Sequence, residues 1–163
     1  FGNSPLQNQV KETTEGRFDL ISYQYAKNQG RKILMRLVIA EFKNGILNGY
    51  QVMSNVPEDH IKPPFEMRNK IQVGVTTQNG IIQLFGEPMG ISKLPATFLG
   101  KPEVSKDPTS FLVGPMTDVW YYIAIKAHIG ARLEAEVSME SLAVGFNDKE
   151  KVAAITYEAS SKL

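Results

Sequence analysis

The 163-residue sequence has no cysteine, almost no net charge and no long apolar run. Without cysteine, a disulfide framework, a thiol nucleophile and a thiolate metal site are excluded. Lysine and arginine number 18 against 17 aspartate and glutamate residues, so the net charge is +1. Such a balance does not favour nucleic acid or an anionic membrane as the main partner. The longest apolar runs, such as residues 119–125, are far shorter than the roughly 20 residues that span a bilayer.

The chain begins with Phe1 rather than methionine, so we expect a processed chain or a fragment. No basic segment followed by an apolar one is present to indicate a targeting signal. Apolar residues make up 42% of the sequence. At this length, that content is enough for the core of one domain or of two small ones.

Strand patterns dominate the first third of the sequence. Residues 21–25 alternate apolar and polar side chains, which predicts a half-buried strand. The β-branched and aliphatic run at residues 33–42 predicts a second strand, and Asn44-Gly45 after it is a strong hairpin signal. Residues 46–53 supply the return strand, so a meander of three strands is expected, or of four if residues 6–13 pair as well.

Two short helices are predicted in the middle of the chain. Proline suits the first helical turn, so Pro63-Pro64 is expected to begin a helix over residues 65–70. Thr76 or Thr77 can cap a second helix, and Gly86 is placed to end it. Its apolar stripe has three- and four-residue spacing and consists of Ile81, Ile82, Leu84 and Phe85.

Residues 90–118 hold four prolines and show no clear period, which predicts a long loop of the kind that is functional or disordered. The strand pattern returns at residues 119–126 and again at 133–146, where a change of phase indicates a bulge around residues 140–141. Residues 147–151 then form a turn, and residues 152–157 close the sheet.

Four segments of the first half have echoes in the same order in the second half, which predicts a tandem repeat. Residues 21–25 echo 119–123, 37–42 echo 142–146, and 50–55 echo 157–161, while Phe1-Gly2 echoes Phe85-Gly86. The expected units are residues 1–56, which contain only the sheet portion, and residues 57–163. A sheet face without helices would leave apolar area exposed to water, which costs about 25 cal/mol per Å². We therefore expect either a helical segment before Phe1 or a partner chain that covers this face.

The segments at residues 71–77 and 84–88, which read IQVGVTT and LFGEP, resemble the SmpA/OmlA (BamE-like) family of bacterial envelope lipoproteins. In that family a helical segment precedes a small antiparallel sheet, and residues 120–122 and 142–149 are similar to its aromatic strand and hairpin. Glu150 stands where the family pattern has glycine. Two such units in tandem resemble the β-lactamase-inhibitor proteins, although those carry disulfides. The resemblance implies an α+β fold of two helix–helix–antiparallel-sheet units, the first without its helices.

No constellation of residues predicts catalysis, a metal or a cofactor. His60 and His128 lie in unrelated turns without a ligand-spaced partner. Ser110, Asp118 and His128 have no nucleophile elbow to support a triad. We therefore predict a protein that is not an enzyme, with no catalytic residue and neither metal nor cofactor.

The residues proposed to bind a partner are aromatic and basic. Alternation puts Trp120 and Tyr122 on the sheet face opposite Tyr121, which is expected to face the helices, so the pair is a candidate binding anchor. The competing interpretation is that loop 90–118 folds over the pair as a second small core. Within that loop, Lys93, Phe98 and Lys101 suit a lid or a contact arm, and they are the remaining candidate contact residues.

These observations predict a non-catalytic binding or scaffolding module, and the resemblance implies that it belongs to the bacterial envelope and is anchored by a lipid upstream of Phe1. It would bind another protein, either an envelope component or a target enzyme, through an antiparallel sheet face. A second copy could also cover the incomplete first repeat. One alternative is an inhibitor that presents the same face, or the hairpin loop at residues 27–31, to an enzyme. The other is an enzyme or small-ligand carrier with a pocket beneath loop 90–118.

Overall fold

The computed structural model describes residues 7–59, 62–97, 99, 115–129 and 135–161. Eight strands follow one another along the chain in a single sheet with the order β1 to β8. They are β1 (Gln7–Thr13), β2 (Gly16–Gln29), β3 (Lys32–Lys43), β4 (Ile46–Ser54), β5 (Gly90–Lys93), β6 (Met116–Ile129), β7 (Ala135–Asn147) and β8 (Val152–Ser161). Helical structure in the described residues is limited to 3₁₀ turns at Pro57–Asp59 and Phe65–Lys70 and to helix α1 (Gln78–Phe85).

Neighbouring strands pair antiparallel throughout the described sheet, and tight turns join β1 to β2, β2 to β3, β3 to β4 and β7 to β8. Asn44 and Gly45 both have positive φ angles, of 52° and 80°, as the predicted two-residue hairpin requires. The predicted turn before Val152 is also confirmed. There the Asn147 side chain accepts hydrogen bonds from the backbone N–H groups of Lys149 and Lys151, each at 3.0 Å.

Strand β5 is the first strand of the second meander (β5–β8), and it pairs with β4, the last strand of the first meander (β1–β4), so that the two form one sheet. Gly90 lies opposite Gln51 of β4 on one side and opposite Tyr121 of β6 on the other. Beyond the ends of β4 and β5 the sheet curls into a barrel, because Lys32 of β3 pairs directly with His128 of β6. The predicted long loop therefore begins with a strand. The four residues of β5 show no clear alternation of apolar and polar side chains, so their pattern does not predict a strand.

The sheet has two faces, and β6 is buried on both. Every residue from Val119 to Ile123 is buried. On the inner face, Val119, Tyr121 and Ile123 pack with Leu99. The outer face of β6, β7 and β8 packs beneath α1 and the second 3₁₀ turn, and this outer core comprises Phe65, Ile81, Phe85, Trp120, Tyr122, Leu142, Val144, Phe146 and Val152.

Helix α1 forms where the sequence predicts it. The Thr77 side chain accepts a hydrogen bond from the Gly80 N–H at 3.3 Å, and Gly86 ends the helix at a φ of 80°. Ile81 and Phe85 are its buried residues, so the apolar stripe faces the sheet as expected. This eight-residue helix and the second 3₁₀ turn thus cover the outer face of β6, β7 and β8.

The predicted α+β class is wrong, because the protein is mainly β. Strands hold 64% of the described residues and helical turns 13%, and no pair of α-helices packs on the sheet. Residues 65–70 form a 3₁₀ turn, without a side-chain cap at Pro64 and with Ile71 already extended. The structure places its bulges after Met116, Glu41 and Gly145, rather than at residues 140–141.

The echoed segments occupy matching strands of the two meanders, but their faces do not match. Residues 21–25 lie in β2 and residues 119–123 in β6, the second strand of each meander. Tracing the paired residues across the sheet puts Ile21 on the outer face with Trp120, although the sequence echo aligned it with Val119. The sequence echo and the strand register thus differ by one residue, and an offset of one residue moves every side chain to the opposite face of the sheet. The proposed duplication therefore stays a prediction.

Candidate functional site

Trp120 and Tyr122, the predicted binding anchor, are buried beneath helix α1. Trp120 is 8% exposed and Tyr122 is 0% exposed. The Phe85 and Tyr122 ring centroids lie 5.2 Å apart, and the Tyr122 hydroxyl donates a hydrogen bond to the Gly86 carbonyl at 3.0 Å. The prediction that these two residues lie on an open face of the sheet is therefore wrong. The run at residues 119–125 is apolar on both sides, so alternation alone could not tell which side the helix covers.

Of the remaining predicted contact residues, Lys93 is the one that the structure describes. Lys93 is exposed at the end of β5, opposite Asp118 of β6. Phe98 and Lys101 lie outside the described residues, as does most of loop 90–118. The predicted pocket beneath that loop therefore also lies largely outside them. Tyr121, expected to face the helices, lies on the inner face.

A buried carboxylate on the inner face holds the chain segment after β5 against the sheet. Glu41 is 0% exposed and accepts hydrogen bonds from the Asn48 side-chain amide at 2.9 Å and from the Thr97 N–H at 3.0 Å. The Asn48 amide also donates to the carbonyls of Lys93 and Pro95. Because this carboxylate has no access to solvent, its role is structural: it satisfies buried donors that would otherwise destabilise the fold.

Burial also raises the pKa of two adjacent tyrosines. The pKa of Tyr121 is raised to about 12, chiefly because burial disfavours the phenolate, with Glu41 adding to the rise and hydrogen bonding to Ser92 and Gln51 opposing it. Burial raises the pKa of Tyr122 in the same direction. Both hydroxyls therefore stay protonated in the folded protein at a pH where unfolded tyrosine, with a pKa of about 10, ionises.

This difference predicts a loss of stability in alkali. Between pH 10 and 12 the unfolded chain binds fewer protons than the folded one, so the free energy of unfolding falls as the pH rises. For Tyr121 the expected fall is about 2 kcal/mol. Urea unfolding between pH 9 and 12 measures it, and Tyr121→Phe should flatten the slope. Equal slopes for the variant and the parent would show that Tyr121 does not titrate in this way.

The outer face of strands β1–β4 carries an apolar block that is only partly buried. Tyr25 is 43% exposed and Val10 is 52% exposed. Across the ladder, Ile21 lies opposite Ala40, and Ala40 lies opposite Tyr50. We refer to this surface as the β1–β4 outer face, which comprises Val10, Ile21, Tyr23, Tyr25, Val38, Ala40, Tyr50 and Val52.

The same side of the sheet has a different environment in each half. In the second half Tyr122, Val144 and Phe146 are fully buried beneath helix α1 and the 3₁₀ turn. In the first half every residue of the β1–β4 outer face is half-buried or exposed. Because exposed apolar patches are common at interaction sites, this face is the candidate binding surface.

The chain matches no protein-family model, no curated protein and no solved structure. Among the described helices, none is long and apolar enough to cross a membrane. His, Asp and Glu side chains nowhere gather into a group of three that could hold a metal ion within the described part of the chain.

Proposed function

We propose that the protein is a non-catalytic binding module that takes an apolar helix of another protein on the β1–β4 outer face. The observation that carries this proposal is the contrast between the two halves of one sheet side. Helix α1 buries the outer face of the second half with an apolar stripe that includes Ile81 and Phe85. A partner helix with a similar stripe has the chemistry to cover the first half.

The charges beside the face favour an apolar partner. Arg17 pairs with Asp19 at 2.8 Å and Arg36 pairs with Asp59 at 2.5 Å. Since these charges neutralise each other within the chain, binding would depend on burial of apolar area and would vary little with salt. The proposal names no catalytic residue.

Replacement of Tyr25 by alanine tests the face. Tyr25 is 43% exposed, so Tyr25→Ala should change the free energy of unfolding by less than about 1 kcal/mol. If Tyr25 anchors the partner, the variant should bind about 30-fold more weakly, the effect of losing an aromatic hot spot. The matched control is Val75→Ala, because Val75 is 63% exposed and lies away from this face.

The partner for that measurement can be identified by photo-crosslinking. A benzophenone amino acid at position 25 in the producing cells should crosslink to one partner protein, whereas the same group at position 75 should not. Affinities of the purified partner for the parent, Tyr25→Ala and Val75→Ala proteins are then compared. Crosslinks to a second copy of this chain alone, or equal affinities for all three proteins, would contradict the proposal.

The cellular setting is proposed from the sequence resemblance alone. On that basis the module acts in the bacterial envelope and is held at the membrane by a lipid attached upstream of Phe1. The gene sequence upstream of Phe1 tests this part, because a signal peptide that ends at a lipid-acceptor cysteine should be present. A gene without that signal would remove the envelope assignment and leave the binding face untouched.

A further inference from the structure

A cavity of about 580 Å³ lies where the sheet closes between β3 and β6. This volume is typical of sites for small organic molecules. None of its described lining residues is one of those that define the β1–β4 outer face. Its described lining comprises Gln29, Lys32, Ile33, Leu34, Ser54, Asn55, Val56, Pro57, Lys62 and residues 124–128.

Three lysines, Lys32, Lys62 and Lys126, are among the described residues that line this cavity. None of them forms an ion pair with a described residue, and no aspartate or glutamate occurs among the described lining residues. The nearby acids have other partners, since Glu136 binds His128 at 2.9 Å and Asp59 binds Arg36. The cavity therefore combines several ammonium groups that a bound anion would neutralise.

The strand register brings two of these lysines to the same side. Lys32 lies directly opposite His128 in the β3–β6 pair. Side chains of opposed residues are neighbours on one face, and Lys126 shares the face of His128 because it precedes it by two residues. The bond from the Ile129 N–H to the Arg31 carbonyl, at 2.8 Å, holds this junction closed.

The opposite wall is held in place by hydrogen bonds. The Asn55 side chain accepts a bond from the Met35 N–H and donates one to the Ile33 carbonyl, both at 2.7 Å. Next to it, Ser54 donates to Asp59. These contacts fix the segment that carries Val56 over strand β3, so the wall is pre-formed before any ligand binds.

The rest of the lining is apolar, with Leu34, Val56, Ala124 and Ile125 among its members. A cavity that combines an apolar wall with ammonium groups that form no ion pair to a described residue matches a ligand with both an apolar and an anionic part. We infer that this cavity binds a small organic anion: a carboxylate or phosphate head that contacts Lys32 and Lys126, on an apolar body that packs against Leu34 and Val56.

Calorimetric titration with octanoate, octyl phosphate, 1-octanol and acetate tests the inference on the full chain. We expect octanoate or octyl phosphate to bind at least about tenfold more tightly than 1-octanol or acetate, because only they offer both head and body. The tighter of the two identifies the head group as carboxylate or phosphate. Octanol that binds as tightly as both anions, or no binding of either anion at millimolar concentration, would overturn the inference.

Charge removal then locates the site. Lys32→Met and Lys126→Met should each weaken binding of the anion about three- to fivefold and the double variant about tenfold or more, while octanol binding stays unchanged. Lys149→Met, in the exposed turn before β8, is the matched control and should bind as the parent does. Tyr25→Ala should also leave anion binding unchanged, which separates this site from the β1–β4 outer face. A double variant that binds the anion like the parent would refute the assignment.

Discussion

Tyr122→Ala should lower the free energy of unfolding by about 4 kcal/mol, as expected when a large aromatic residue is removed from a packed core. The side chain is 0% exposed and its ring packs 5.2 Å from that of Phe85. Truncation leaves a cavity beneath α1 and removes the hydrogen bond to Gly86. Urea unfolding followed by circular dichroism gives the free-energy difference.

Tyr122→Phe is the control for this result. It keeps the ring and removes only the hydroxyl bond of 3.0 Å to the Gly86 carbonyl, so a loss of about 1 kcal/mol is expected. Trp120→Ala should resemble Tyr122→Ala, because Trp120 packs 4.8 Å from Phe146 in the same core. If both alanine variants keep the stability of the parent, the two residues do not lie in the core and the outer face is wrongly assigned.

Gly90→Ala should lower the free energy of unfolding by about 3 kcal/mol, as overpacking does. A Cβ atom at Gly90 would lie 2.5 Å from the Tyr50 carbonyl oxygen and 2.9 Å from the Gln51 Cα. Both atoms belong to the backbone of the paired strand, so no side-chain rotation relieves the clash. The β4–β5 contact must widen, and faster hydrogen exchange at the β4–β5 pairs is expected alongside the loss in urea unfolding.

Gly80→Ala provides a matched comparison for this variant. A Cβ atom there would lie 3.2 Å from a methyl group of Thr76, which is a side chain. Alanine also favours the helix by up to about 1 kcal/mol, so the net change should stay within about 1 kcal/mol. Equal stability of the Gly90→Ala and Gly80→Ala proteins would show that β5 does not lie against β4 as closely as the structure has it.

The local elements could be predicted because their signals are local. Asn44-Gly45 marks a hairpin, and Thr77 with Gly86 bounds a helix, since each depends on backbone angles and caps of a few neighbouring residues. Strand β5 could not be predicted in this way. Its four residues have no pattern of their own, and it is stabilised by strands on both sides.

The candidate sites depended on information that no segment carries by itself. The alternation of side chains along β6 correctly predicts that Trp120 and Tyr121 lie on opposite faces of the sheet. Which of the two faces the helix covers follows from the packing of distant elements. Lys32, Lys62 and Lys126 are far apart in the chain and line one cavity because β3 closes onto β6. No spacing rule links residues that meet only through such a closure.

The amino-acid sequence by itself determined the long strands, the turns at Asn44-Gly45 and before Val152, and where the one α-helix of the described residues begins and ends. Those properties arise from interactions within about four residues. Tertiary structure alone decided the mainly β class, the burial of Trp120 and Tyr122, and the positions of the two surfaces proposed for binding. The reason is physical: strand pairing and the burial of a sheet face are non-local, so their outcome depends on which distant strands and helices meet.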